Sequence, residues 1–94
     1  MLVATCVIKL RLDGVYSLKE KRRIVKSVLA RLQQQFKLAV AEVDEQDVWQ
    51  TAVIGLAVVG NDSAHLHSVL EKSVQWLMEM RPDVPVETYE IEFR

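Results

Sequence analysis

Residues 2–12 alternate cleanly: Leu2, Ala4, Cys6, Ile8, Leu10 and Leu12 form one row, and Val3, Thr5, Val7, Lys9 and Arg11 form the other. A period of two over this length predicts a β-strand with its even row in the core. Asp13-Gly14 ends it with turn chemistry. Ser17-Leu18-Lys19-Glu20 then has the S-x-x-E spacing of a capping box, in which Ser17 and Glu20 satisfy each other's free amides. Ile24, Val25, Val28, Leu29, Leu32 and Phe36 follow in steps of three and four, which predicts a helix ending near residue 35 or 36. Alternation returns over residues 38–43, before the acidic connection Asp44-Glu45-Gln46-Asp47. A third strand is expected over residues 49–59, with Ala52, Ile54, Leu56 and Val58 on one row. Gly60-Asn61-Asp62-Ser63 turns the chain and supplies N-cap candidates for a second helix with a Leu66, Val69, Leu70, Val74, Leu77, Met80 stripe. Arg81-Pro82-Asp83 stops that helix, and Glu87, Tyr89, Ile91 and Phe93 alternate with Thr88, Glu90 and Glu92 as a fourth strand.

The order is βαββαβ over residues 1–94, without linker or repeat, and it predicts a single α+β domain of the ferredoxin-like split βαβ type. Such a domain has a four-stranded antiparallel sheet with both helices on one face. The other face is then open, and it collects Val3, Thr5, Val7, Trp49, Thr51, Val53, Gly55 and Ala57, joined by Ala39, Ala41 and Val43. A water-facing sheet should be polar there, whereas this row is apolar and small, as suits a second surface lying against it. A homodimer through the open faces is expected. The competing arrangements are an edge-strand dimer and a monomer whose loops or C-terminus cover the sheet. The third strand carries one aromatic at its start and the first strand none, so the base-stacking platform of RNA-recognition motifs is missing.

Composition narrows the class. Half of the chain is hydrophobic and only five residues are Gly or Pro, which rules out disorder and low complexity. A single cysteine excludes a disulfide framework and a cysteine-based zinc site. The N-terminal residues MLVATCVIKL have the length and flanks of neither a signal peptide nor a membrane span, so a cytoplasmic protein without membrane contact is expected. The net charge of −1 hides a split: residues 1–43 carry nine Lys/Arg against three acids, and residues 44–94 carry three against ten. Such a split speaks of partners rather than fold.

The basic half concentrates at the start of the first helix. Lys19, Arg22, Arg23 and Lys26 fall in one solvent-facing sector at 100° per residue, while Lys21 lies on the core side and is expected to snorkel. Cations at a helix N-terminus oppose the macrodipole at roughly 0.3–1 kcal/mol each, so helix stability does not account for them. Three readings follow: a solvated face paired with the acidic half, a site for RNA phosphate extended by Lys9 and Arg11, or a site for an acidic protein.

Ser17-Leu18-Lys19-Glu20-Lys21-Arg22-Arg23, Val40-Ala41-Glu42-Val43, Asp47-Val48-Trp49-Gln50 and Val59-Gly60-Asn61-Asp62 together resemble the bacterial YlxP-like family of small uncharacterised proteins. The resemblance covers nearly the whole chain and implies a ferredoxin-like fold, commonly dimeric, in a cytoplasmic protein. Genes of that family often lie beside translation-initiation and ribosome-maturation genes, which implies RNA or the ribosome as partner. The family brings no agreed catalytic residues. Gly60 departs from it, standing where the family pattern has Ser.

The remaining chemistry-bearing residues are weak candidates. His65 and His67 are two apart on a helix, point roughly 200° away from each other and cannot share a metal. Asp62 with His65, approached by Asp44 or Asp47, is the one conceivable ligand set. Asp44, Glu45 and Asp47 lack an accompanying nucleophile or base. Cys6 sits on the core row as a small hydrophobe, Trp49 is expected at the dimer interface, and Trp76 at the core edge. No phosphate-loop, dinucleotide or zinc-hydrolase motif occurs. The expectation is a non-enzymatic RNA- or ribosome-associated module with no cofactor or metal. Its alternative is a dimeric regulatory module that binds a small molecule or a protein.

Overall fold

The computed structural model describes residues 1–94. Its elements are β1 (Leu2–Arg11), α1 (Leu18–Phe36), β2 (Ala39–Asp44), β3 (Thr51–Gly60), α2 (Ser63–Met80) and β4 (Val86–Phe93). The strands form one antiparallel sheet in the order β2-β3-β1-β4, which is the ferredoxin-like arrangement. Hence β2 and β4 are the free edges. The helix α1 packs over β2, and α2 packs over β1, β3 and β4.

The period-two rows sort as expected. Ala4, Cys6, Ile8 and Leu10 of β1 and Ala52, Ile54 and Leu56 of β3 are buried against Val25, Val28 and Leu32 of α1 and Leu66, Leu70, Val74 and Leu77 of α2. Each large aliphatic side chain so enclosed contributes about 1.5–3 kcal/mol of hydrophobic stabilisation. Trp76 meets Phe36 edge to face, with ring centroids 5.8 Å apart, and ties α2 to the end of α1.

Caps set the helix ends. Ser17 Oγ accepts from Glu20 N at 3.2 Å, the Ser17 half of the expected reciprocal pair, and α1 closes at Lys37 in the left-handed region. Asp62 Oδ1 accepts from the amides of Ala64 and His65 and so starts α2. A Cβ on Gly60 would stand 2.9 Å from Leu66 Cδ2, so that the serine of the family pattern would press on the first buried residue of α2.

Three boundaries differ from the expectation. Trp49 does not open β3; it lies two residues ahead of the strand in the β2–β3 connection, 46% exposed. Leu12 is buried but outside β1, its amide donating to the Gln50 carbonyl at 2.9 Å. In β4 a bulge opposite Lys9 and Leu10 pairs Val86 with Leu10 and Thr88 with Lys9, so Glu87 is the extra residue rather than a member of the Tyr89 row.

Cys6 is fully enclosed. Burial, and then the nearby Glu71 carboxylate, push its thiol from 9.0 up to about 11. The folded value exceeds the unfolded one, so stability from burying the neutral thiol is present below pH 9.0 and is lost as pH rises through about 11. Native protein at about pH 8 should therefore leave Cys6 unlabelled by a thiol reagent, with labelling tracking global unfolding. Rapid labelling under native conditions would show that β1 opens locally at Cys6.

Candidate nucleic-acid interface

At the start of α1 one cation faces inward. Lys21 has no exposed surface, so it does not snorkel. Its Nζ donates to the backbone carbonyls of Glu45 and Gln46 and stands 3.1 Å from Glu42 Oε2. All three ammonium hydrogens thus have an acceptor nearby. The Glu42 contact is an ion pair rather than an aligned hydrogen bond, since Oε2 is shielded without a hydrogen-bond partner. Glu45 adopts a left-handed φ of 54°, uncommon for a residue with a side chain, and the ammonium bond to its carbonyl holds that turn in place. Glu45 Oε2 is likewise enclosed without a partner.

With Lys21 pinned inward, the helical step carries its neighbours outward. Lys19, Arg22, Arg23 and Lys26 are all exposed, as is Arg31 farther along. None of the five makes an ion pair: the pairs in the structure are Arg11–Asp13, Lys21–Glu42, His67–Glu71, Arg81–Asp83 and Arg94–Glu92. No carboxylate of the acidic half therefore forms an ion pair with the exposed face of α1. Asp44, Glu45 and Asp47 lie at the β2–β3 connection against the first turn of α1 without pairing with these cations, and Glu87, Glu90 and Glu92 lie on β4 at the far edge of the sheet.

Lys9 and Arg11 do not extend this patch. They belong to the row of β1 that faces away from both helices, and Arg11 is held by Asp13 at 2.9 Å. That same open face shows Val3, Thr5, Val7, Thr51, Val53 and Ala57, each half-buried or exposed. Val7 is 46%, Val43 50% and Val59 62% exposed, so the apolar surface is not covered by any loop. A depression of about 370 Å³ lies among Thr5, Val7, Ala41, Val43, Gly55 and Ala57, with Arg94 on its rim. Gly55 permits it: an added Cβ would stand 2.9 Å from Val43 Cγ1, and Val43 folds inward over that space.

A second cavity, of about 500 Å³, runs between α1 and the free edge of β2. Arg22, Lys26, Ala30 and Gln33 form one wall, Val25, Leu29 and Val40 an apolar floor, and Glu42 the far side. The sequence pattern showed the cations but not this cleft, because its floor is the flank of a buried stripe.

The other candidates resolve into local roles. Asp62 caps α2, His67 Nε2 lies 3.7 Å from Glu71 Oε1, and Asp44 Oδ1 accepts from the Glu45 amide. No three His, Cys, Asp or Glu side chains gather as a metal site would require. No helix is long and apolar enough to cross a membrane.

Residues 3–91 match the family described as "Protein of unknown function (DUF503)". The chain belongs to the DUF503 family. A relative within reach of this DUF503 chain is the uncharacterized protein YlxP of Bacillus subtilis (strain 168), 33% identical over 61 residues that cover 65% of this chain and 66% of that protein. The match thus spans just under two thirds of its relative's length. Among solved structures, a de novo designed protein with ferredoxin fold, LFR1, superposes with a TM-score of 0.57 at 17% identity, covering 100% of this chain and 86% of that one. SnoaB, a cofactor-independent oxygenase from Streptomyces nogalater, superposes with a TM-score of 0.55 at 17% identity, covering 98% and 90%. At such identities the likeness shows the fold alone, and the oxygenase activity belongs to SnoaB.

Removing the Lys21 ammonium should expose how much depends on it. Lys21→Met strands the Glu42 carboxylate and two carbonyls and should cost about 3–5 kcal/mol in urea unfolding. Lys21→Met/Glu42→Leu, which removes both charges, should regain more than half of that loss. Wild-type stability in the single variant would show that the ammonium is solvated rather than enclosed.

Proposed function

We propose that this chain is a non-enzymatic RNA-binding module whose α1 neutralises backbone phosphates, and that it works as a homodimer closed through the open sheet faces. The supporting observation is the set of four exposed, unpaired cations, Lys19, Arg22, Arg23 and Lys26, in one sector of a helix start. Glu20 is the one acid in that first turn, so the cations stand against a single internal carboxylate, and a polyanion supplies the balance. Four single-strand phosphate contacts give a salt slope of about −2.8, so affinity should fall about 50-fold between about 50 and 200 mM salt.

Fluorescence anisotropy with labelled ribosomal and unrelated RNAs tests this. Binding should appear at the lower salt, weaken steeply at the higher and vanish in Arg22→Glu/Arg23→Glu, whose circular dichroism should match the wild type. Absence of binding at low salt would remove the RNA reading. It would favour a regulatory module holding a small ligand in the depression beside Arg94, a reading that thermal shifts with small anions then address.

The dimer reading follows from where charge is placed. Two-fold pairing along β2 would bring two copies of the cationic α1 together, and pairing along β4 would oppose Glu87, Glu90 and Glu92 with themselves. Like charges so placed are destabilising. The open face also carries Glu90 and Glu92, opposite Val7 and Thr5, but Lys9, Arg11 and Arg94 share that face with them, its middle is apolar, and burying it leaves both α1 helices outside. Sedimentation should give a dimer at micromolar concentration, and Val7→Glu should give a folded monomer. A monomeric wild type, or a Val7→Glu variant that still dimerises, would count against this interface.

A further inference from the structure

We infer that the cleft between α1 and β2 seats an unpaired nucleobase, so that the RNA held by α1 is single-stranded. The inference rests on the phosphate reading of α1 and names the element of RNA it takes. Arg22 stands on the flank of the cationic sector nearest β2 and lines the cleft together with Lys26, while Lys19 and Arg23 lie progressively farther round the helix. A strand whose phosphates follow these cations therefore passes along the mouth of the cleft.

The interior of the cleft has a different chemistry. Val25, Leu29 and Val40 give an apolar floor of the kind that takes the face of a base, and the Arg22 guanidinium offers a plane for stacking. Glu42 closes the far side. One of its oxygens is turned to the Lys21 ammonium and shielded from water, so its other oxygen is the acceptor left for the cleft. A carboxylate there repels phosphate and accepts from ring or exocyclic N–H groups. Anionic backbone outside, apolar planar body inside and N–H donors at the tip describe a nucleotide with an unstacked base. In a duplex the bases are stacked and paired, and none can enter. The volume of about 500 Å³ lies within the range of small-ligand sites.

Ala30 allows a test that spares the cations and the buried pair. It is exposed on the cleft wall, so Ala30→Trp fills the cleft while keeping a helix-compatible residue. Anisotropy with an oligoadenylate strand, its duplex with oligouridylate, and free AMP as competitor separates the outcomes. The single strand should bind about tenfold more tightly than the duplex, in line with one seated base, and Ala30→Trp should erase that preference while leaving the salt dependence. Duplex binding as tight as single-strand binding, with its salt dependence intact, would overturn the base seat and leave the phosphate reading standing. Tight AMP binding without strand binding would assign the cleft to a free nucleotide and overturn the inference, and no binding of any RNA would remove both readings.

Discussion

The enclosed ammonium of Lys21 is the constraint around which the cationic end of the molecule is organised. Taking such a charge out of water costs several kcal/mol, and the pairing with Glu42 does little more than offset that loss. What the arrangement does specify is register. Three acceptors from two residues of a turn and one strand fix the first turn of α1 against the β2–β3 connection. Once that turn is fixed, the 100° step places Lys19, Arg22, Arg23 and Lys26 outward without further instruction. The same bond steadies Glu45 in its left-handed conformation and holds one oxygen of Glu42 away from solvent.

Most of the fold was legible in the sequence because its elements keep strict periods. The alternation of residues 2–12 and the three–four spacing from Ile24 to Phe36 each leave one arrangement of buried side chains, and βαββαβ then leaves few topologies. Failures came where partners are distant or local geometry breaks the period. A lysine on the core side reads as snorkelling, since neither Glu42 nor two turn carbonyls can be recognised as acceptors from their spacing. Trp49 continues the alternation of β3 by parity, yet the chain there is still a bend. The β4 bulge inserts Glu87 and shifts the pairing of everything before it. Lys9 and Arg11 lie near the basic helix in sequence, but the alternation of β1 sends them to the other side of the sheet.

The candidate site was visible only by halves. Charge counting located the cations, because unpaired Lys and Arg stand out in a helix start. The cleft beside them is a product of packing: α1 sits over an edge strand and leaves Leu29 and Val40 only partly buried. Likewise the depression on the open face depends on a glycine, and on Val43 folding across it, a contact between β2 and β3 with no signature in either strand alone.

Charge in this molecule is laid out laterally, from a cationic helix over β2 to acidic side chains on β4. A nearly neutral protein built this way presents local surfaces of opposite sign to its surroundings. Near a polyanion such a protein is steered by the sign of the surface it presents, and its unpaired helix cations are favoured over the carboxylates of β4. Its isoelectric point is therefore a poor guide to which polymers it will adhere to, because the work of recognition begins with a local surface rather than with monopole charge.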